Sequence, residues 1–381
     1  MKLLHTSDWH LGMTFRGGVS YDDDQRFMIE QICRVADEEK VEGILLAGDV
    51  FDRSIASSEA LKLYDEVMTC ICADMGIPVY LIAGNHDGAE RLASCNKLLS
   101  KSGLHIAGSL KNEPQYVTVS DVDIYLLPWI STDKVKSVFP GQADSIESME
   151  DAYRVVLDCY RNSFTPGHKH ILISHAFIVD AETSVSDRSA EVGRATMVPA
   201  SVFEGFDYVA LGHLHGPQQI GEHIRYSGTP MAYSFGKEEK QEKSVTILDT
   251  DSMEVKIIPL PQLHKRVTLT GTFKELLSED YSEEILQGYV RAEVTDCYVG
   301  LEGMANLRDR FRNLLEVTSK DFEREDAAIT MTIEEFEQVQ NSPEAIFGRY
   351  CEDILEEAPS EHLVKLFTDA LKGYESEVSG K

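Results

Sequence analysis

The sequence has no apolar run long enough to cross a lipid bilayer. The N-terminal residues also lack a sustained apolar stretch followed by small residues, so we expect neither a membrane span nor a signal peptide. Cysteine is sparse and odd in number, with seven residues scattered along the chain. Cys70 and Cys72 are too close for a Cys-x-x-Cys site. These features predict a cytoplasmic protein whose cysteines are reduced.

Positive charge is also scarce. The 381 residues include 36 Lys and Arg against 65 Asp and Glu, a formal net charge of −29. A protein that gripped nucleic acid with its whole surface would be basic. Any such contact would therefore be local, bridged by metal ions, or supplied by a partner. The alternative is that the acidic surface only aids solubility, and composition does not decide between the two.

What the sequence does have is polar residues directly after short apolar runs. Such runs, closed by a glycine or a polar residue, predict buried strands. Ligand crevices of open α/β sheets lie at the carboxyl ends of strands. The polar stretches are Asp8-Trp9-His10, Gly48-Asp49, Gly84-Asn85-His86-Asp87, His175 and His213-Leu214-His215.

Seven of these side chains are donors for divalent metal ions. They are Asp8, His10, Asp49, Asn85, His175, His213 and His215. Carboxylates and imidazoles without thiolates suit Mn²⁺, Fe²⁺ or Zn²⁺ better than Ca²⁺ or copper. Seven donors are too many for one ion with an open position but fit two ions about 3.5–4 Å apart. Asp49 stands alone between the other donors and is the expected bridge.

The pattern of elements predicts three regions. Strands and helices alternate over residues 1–260, which we interpret as an α/β domain. Pro259-Leu260-Pro261 breaks this pattern. Residues 265–330 predict a smaller α+β cap domain, and residues 331–381 predict an acidic, helical C-terminal tail. Such a tail either packs on its own chain or binds a partner.

The motifs resemble those of the calcineurin-like metallophosphoesterase superfamily. Its pattern is Asp-x-His, Gly-Asp, Gly-Asn-His-Asp/Glu, a later His, and Gly-His-x-His. The resemblance is closer to one branch, the SbcD-type nuclease subunits. The stretches that carry this closer resemblance are 6–12, 48–52, 174–177, 210–215, 226–230, 234–236 and 243–245.

This resemblance implies a two-sheet metallophosphoesterase sandwich flanked by helices. It implies a Mn²⁺-dependent DNA nuclease that cuts double-stranded ends and hairpins, forms a homodimer and works with an SbcC-type coiled-coil ATPase. It also implies how the donors divide. One ion would be held by Asp8, His10, Asp49 and His215, and the other by Asp49, Asn85, His175 and His213.

Roles outside the donor set are hypotheses. We assign His86 to the catalytic chemistry, where it steadies the phosphate or protonates the leaving oxygen. Asp52 either orients His86 or caps a helix. Arg16, Arg53 and Arg188 are candidate DNA contacts, although each is equally suited to a surface ion pair. Helices at 57–75 and 89–102 have apolar faces that either build the dimer or pack on the parent sheet.

Two other functions remain open. One is a phosphatase or phosphodiesterase for small phosphoesters, which the core motifs do not exclude. The additional regions after residue 261 argue against it. The other is a non-catalytic scaffold, against which the complete set of metal donors argues.

Overall fold

The computed structural model describes residues 1–15, 20–179, 181, 197–319 and 363–368. Arg16, Arg188 and most of the predicted tail at 331–381 lie outside these residues, although 363–368 form a helix. The described strands are β1 (Lys2–Thr6), β2 (Gly43–Leu46), β3 (Val79–Ile82), β4 (Leu104–Ala107), β5 (Tyr116–Val119), β6 (Val122–Leu127), β7 (Lys169–His175), β8 (Phe177–Ile178), β9 (Met197–Val198), β10 (Tyr208–Gly212), β11 (Gln218–Ile220), β12 (Ile224–Tyr226), β13 (Ser244–Asp249), β14 (Glu254–Pro259), β15 (Arg266–Gly271), β16 (Tyr289–Val294) and β17 (Asn313–Ser319). The described α-helices are α1 (Asp22–Glu38), α2 (Ser58–Thr69), α3 (Ala89–Leu92), α4 (Asn96–Leu99), α5 (Thr132–Val138), α6 (Met149–Arg161), α7 (Phe273–Ser278), α8 (Glu283–Gln287) and α9 (Leu301–Arg310).

Two sheets dominate the described chain. The first has the strand order β14-β13-β1-β2-β3-β4, and the second has the order β11-β12-β10-β7-β6-β5. In the first sheet β1 to β4 run parallel, and in the second β12, β10, β7 and β6 run parallel. Because parallel strands end at the same edge of a sheet, the residues that follow them are brought together.

The sheets pack face to face between two layers of helices. Strand β1 is apolar on both faces because both faces are buried. Leu3 packs between the sheets, and Leu4 packs under α1. The core between the sheets also includes Leu45 and Ile124, and the outer core of the second sheet includes α6. The predicted two-sheet α/β fold is confirmed.

The helix expected at 89–102 is interrupted. It consists of the short helices α3 and α4 and a 3₁₀ turn at Ser100–Ser102. Cys95 breaks the run with a left-handed φ of 59°. The side chain of Asn96 then bonds both the N–H and the C=O of Ile106, which holds the chain against β4. The prediction of one continuous helix was wrong because these tertiary hydrogen bonds compete with it.

A smaller sheet follows the two large ones, with the order β15-β16-β17. The side chain of Asp24 links this sheet to the first turn of α1, because it accepts a hydrogen bond from Tyr289 Oη at 2.6 Å and lies 3.0 Å from His264 Nδ1.

Contact density groups Met1–Glu293 with Gly300–Thr318 in one unit and the remaining residues in a second. The predicted boundaries at 260–265 and 330–331 stay predictions. Within the described residues, no helix is both long and apolar enough to span a membrane.

Candidate metal centre

Five strand ends meet at one edge of the two large sheets. In the first sheet, Asp8 and His10 follow β1, Asp49 follows β2, and Asn85 follows β3. In the second sheet, His175 ends β7, and His213 and His215 follow β10. The structure therefore brings all seven predicted donors together.

The donors form two neighbouring groups. In one, His10 Nε2 lies 3.1 Å from His215 Nε2, and a carboxylate oxygen of Asp8 lies within 4.8 Å of a nitrogen of each ring. In the other, Asn85 Oδ1 lies 2.9 Å from His175 Nε2 and 3.0 Å from His213 Nδ1.

Asp49 lies between these two groups. Its Oδ2 is 3.4 Å from His175 Nε2 and 4.0 Å from His10 Nε2. Its Oδ1 accepts a hydrogen bond from the main-chain N–H of His86 at 2.9 Å. One carboxylate is thus shared by both groups, which is the arrangement expected of a bridge.

The backbone at the donors adopts an uncommon conformation. Asp8, His10, Asp49 and His213 have φ values of 54°, 45°, 50° and 104°, in a region that side chains rarely adopt. Such residues cost about 1–3 kcal/mol each and persist where the surrounding structure holds them. Here the loops after β1 and β2 hold each other, because Asp8 N–H donates to Gly48 O and His10 N–H donates to Asp49 O, both at 3.0 Å.

Glycine is required where the two sheets approach each other. A Cβ on Gly212 would lie 2.0 Å from the main-chain oxygen of Ala47, which is on the other sheet. A Cβ on Gly84 would lie 2.1 Å from Asp49 Oδ1. The glycines of the predicted motifs therefore make room for the donors beside them.

Burial and the clustering of charge shift the pKa values of the donors. Burial lowers the pKa of His213 to about 3, so that its imidazole is neutral. Burial raises the pKa of Asp8 to about 6 against the opposing effect of His175, and the nearby Asp49 adds to the rise. Burial alone would lower the pKa of His175, but the carboxylate of Asp49 raises it to about 9. The cluster thus contains carboxylates that favour a compensating positive charge.

Hydrogen bonds outside the donor set orient the donors. His175 Nδ1 donates to Ala47 O at 2.9 Å, which directs Nε2 into the cluster. The main-chain N–H of His213 donates to Asp8 Oδ1 at 3.0 Å and so joins the sheets. Asp87 accepts from the N–H groups of Phe51 and Gly84, both at 2.9 Å, and ties the loop after β2 to the loop after β3.

His86 lies beside the first group. Its ring packs edge-on against His10 with centroids 4.9 Å apart, and a nitrogen of His86 lies within 4.8 Å of an Asp52 oxygen. His86 Nδ1 donates to the main-chain carbonyl of Asp52 at 2.8 Å. The contact between Asp52 and His86 is therefore made through the main-chain carbonyl of Asp52.

Of the three candidate DNA-binding arginines, Arg53 lies within the described residues. Arg53 is exposed, and its Nε lies 3.3 Å from Asp52 Oδ2, as expected of a surface ion pair. Arg16 and Arg188 lie outside the described residues, so that their role stays a prediction.

Sequence reasoning missed two contributors to the centre. Trp129 stacks on His213 with ring centroids 5.4 Å apart, and it follows β6 at the same edge of the sheet. Its position after an apolar run was the available signal. Glu238 lies 3.5 Å from His215 Nδ1, but it belongs to a 3₁₀ turn and does not follow an apolar strand, so the sequence carried no signal for it.

Two six-stranded sheets with carboxylates, an amide and imidazoles gathered at their shared edge define the class of metallophosphoesterases. Residues 1–217 match the family model of the calcineurin-like phosphoesterases.

Similarity to two relatives extends beyond that domain. The SbcD subunit of the nuclease SbcCD from Staphylococcus epidermidis is 30% identical over 327 residues, which cover 85% of this chain and 86% of that protein. The corresponding SbcCD nuclease subunit from Staphylococcus saprophyticus is 29% identical over 326 residues, with the same shares. A solved structure of an archaeal phosphodiesterase is 14% identical with a TM-score of 0.34, and the match covers 68% of this chain and all of that one.

The chain belongs to the calcineurin-like phosphoesterase family and, within it, to the SbcD-type nucleases. It is accordingly a metal-dependent phosphodiesterase. The family uses a dinuclear metal site, and the clustered donors are candidate ligands for it.

Proposed function

We propose that this chain is the nuclease subunit of a complex with an SbcC-type coiled-coil ATPase, with roles in DNA repair and recombination. It acts as a double-strand exonuclease and as an endonuclease on hairpins and single strands, with two Mn²⁺ ions. The names of its relatives, which are components of SbcCD, support the partnership. The observation that carries the chemistry is the convergence of seven donors in two groups around Asp49. A cytoplasmic location is part of the same proposal.

The donors fit a pair of cations. His10 Nε2 and His215 Nε2 face each other at 3.1 Å, so that one cation placed between them can accept a lone pair from each ring. The same side of the cluster includes Asp8, which supplies negative charge. We therefore assign Asp8, His10, Asp49 and His215 to one ion. We assign Asp49, Asn85, His175 and His213 to the other.

When bound, such a pair of ions provides a nucleophile at neutral pH and neutralises charge on the phosphoryl oxygens. The protein fixes the ligands through the sheet ends and excludes bulk water from the buried cluster. His86 stands at the margin of this cluster, and its bond to Asp52 O leaves Nε2 as the atom that acts on the phosphate or the leaving oxygen.

The role of His86 is tested by His86→Ala. We expect both Mn²⁺ ions to bind while cleavage falls about 10²–10⁴-fold, the range of general acid–base catalysis. Calorimetry measures the first quantity, and cleavage of a labelled duplex at saturating Mn²⁺ measures the second. Unchanged turnover would remove His86 from the mechanism.

DNA contacts are proposed at Arg16, Arg53 and Arg188. Because each phosphate contact contributes to the dependence of binding on salt, neutralising these arginines should flatten that dependence. Duplex binding measured over a range of salt concentrations tests this. An unchanged slope would refute the contacts and favour a DNA-binding surface supplied by the ATPase.

Homodimerisation is proposed through residues 57–75 and 89–102. Leu61 on α2 is 51% exposed and Leu98 on α4 is 67% exposed, so both are accessible to a second copy. Met68 and Leu92 are buried in their own domain and are not part of such a surface. Sedimentation of wild type and of Leu61→Asp/Leu98→Asp tests this, and a wild-type monomer at high micromolar concentration would reject it.

The acidic segment 331–381 is the proposed binding site for the ATPase.

One assay separates the competing functions. The purified chain is incubated with Mn²⁺ and a labelled linear duplex, a hairpin or p-nitrophenyl phosphate. Cleavage of the two DNA substrates supports the proposal, whereas hydrolysis of the small ester alone indicates a small-substrate phosphatase. Inactivity on all three, with Mn²⁺ bound, indicates a scaffold.

A further inference from the structure

A buried ion pair lies directly behind His215. Glu238 sits on a 3₁₀ turn (Glu238–Lys240), and Lys243 immediately precedes β13. Both side chains are almost completely buried. Glu238 Oε2 lies 3.1 Å from Lys243 Nζ, and Glu238 Oε1 lies 3.5 Å from His215 Nδ1. The carboxylate therefore faces the ring nitrogen of His215 that points away from His10.

Lys243 holds the backbone of the same histidine. Its Nζ donates to His215 O at 3.1 Å, to Thr229 Oγ1 at 2.8 Å and to Glu238 Oε2 at 3.1 Å. An ammonium group has three donors, and these bonds use all of them. His215 is thus held at its main chain by Lys243 and at its ring by Glu238.

Glu238 also fixes the wall of the centre. It accepts from the main-chain N–H of Tyr233 at 2.9 Å and from Ser234 Oγ at 2.8 Å. The ring of Tyr233 packs edge-on against His10 and His215, with centroids 5.8 and 6.3 Å away.

The two sides of the centre differ in this respect. The outward nitrogen of His175 bonds a neutral main-chain carbonyl, Ala47 O. The outward nitrogen of His215 faces a carboxylate. A carboxylate behind a histidine fixes the tautomer and raises the basicity of the nitrogen that binds metal, and its loss costs about 10–100-fold in metal affinity.

We propose that Glu238 is a positioning residue that directs His215 Nε2 toward the cation held with Asp8 and His10, with Lys243 compensating its buried charge. The inference rests on the metal assignment proposed above. It makes the two metal positions unequal, because only the position that includes His215 depends on Glu238.

The test is a titration of the Glu238→Gln variant with Mn²⁺. Calorimetry measures the affinity of each site, and electron paramagnetic resonance distinguishes two magnetically coupled Mn²⁺ ions from an isolated ion. We expect one of the two sites to weaken about 10–100-fold and the coupled signal to give way to that of a single ion. Glu239→Gln is the matched control. Glu239 lies on the same turn and accepts from Thr268 Oγ1 at 2.7 Å and from the N–H of Gly236 at 3.2 Å. We expect this control to bind both ions as wild type does.

Removing one partner of a buried ion pair is strongly destabilising, because the other charge is left buried without compensation. A second variant therefore removes both charges, so that loss of metal can be distinguished from loss of folding. Glu238→Gln/Lys243→Met removes both buried charges and should show the same selective loss of one ion. Wild-type binding of two ions by either variant would overturn the proposal. A wild type that binds two ions and cuts no DNA would overturn the nuclease function and leave the role of Glu238 intact.

Discussion

The two large sheets contribute different chemistry to the centre. The first sheet supplies every oxygen donor of the set, from Asp8, Asp49 and Asn85, together with His10. The second sheet supplies imidazoles alone, from His175, His213 and His215. Neither sheet has enough donors of both kinds for two ions. The metal centre is therefore a property of the junction between the sheets, and it depends on how closely they pack.

Specific contacts across the junction maintain this packing. His175 Nδ1 on the second sheet donates to Ala47 O on the first, and the N–H of His213 donates to Asp8. Farther from the donors, His5 on β1 lies 3.0 Å from Tyr208 Oη and 3.1 Å from Leu211 O. The apolar core between the sheets surrounds these bonds. Changes at the junction should therefore affect metal binding and stability together.

The largest effect is expected from Asp49→Asn, which removes the negative charge and one of the two oxygen donors of the carboxylate shared by both groups. We expect Mn²⁺ affinity to fall at both positions and cleavage to fall by about 10² or more, since a charge-stabilising group is lost at the reacting centre. Calorimetry and duplex cleavage measure these two quantities.

Asp123→Asn is the control for Asp49→Asn. Asp123 is equally buried in the second sheet, where it accepts from Thr118 Oγ1 at 2.7 Å, and it is not among the donors. The Asp123→Asn variant should have a lower free energy of unfolding than wild type and unchanged Mn²⁺ binding. Retention of two tightly bound ions by Asp49→Asn would show that the groups do not share this carboxylate.

The next effect is expected from Gly212→Ala, which pushes the sheets apart. Its Cβ would lie 2.0 Å from Ala47 O and 3.0 Å from His175 Nδ1. Overpacking of this kind should lower the free energy of unfolding by about 3 kcal/mol and weaken Mn²⁺ binding. Urea denaturation and Mn²⁺ titration measure these quantities. A Cβ on Gly141 would meet no heavy atom within 4 Å, so Gly141→Ala should match wild type. Equal stability of the two variants would contradict the close approach of the sheets.

The smallest effect concerns His5, which bridges the sheets as a neutral imidazole. Burial lowers its pKa from 6.5 to about 3. The unfolded chain binds a proton at His5 near the ordinary pKa, whereas the folded chain does not. The contribution of His5 to the free energy of unfolding is therefore fully present above that pKa and is lost as the pH falls below it. The loss from His5 between pH 7 and pH 5 is about 2 kcal/mol.

The comparison for His5 is His5→Gln, which retains a donor and an acceptor and does not titrate. The free energy of unfolding of wild type should fall more steeply than that of the variant over this range, as measured by urea denaturation at several pH values. Identical pH profiles would mean that His5 does not carry the effect.

The sequence was sufficient for the parts of the centre that local patterns determine. Asp8, Asp49 and His175 each follow an apolar run, and parallel strands bring such positions together. The break in the helix at Cys95 was not predictable, because it depends on hydrogen bonds from Asn96 to Ile106 in β4, and helical periodicity does not report such side-chain contacts. Glu238 was missed for a similar reason, since a loop and not a strand end brings it to His215.

Anomalous diffraction from crystals of the protein grown with Mn²⁺ tests the shared metal centre most directly. We expect two Mn²⁺ peaks about 3.5–4 Å apart at the junction of the sheets, both within bonding distance of Asp49. A single peak, or two peaks of which neither lies at Asp49, would contradict a centre shared by the two sheets.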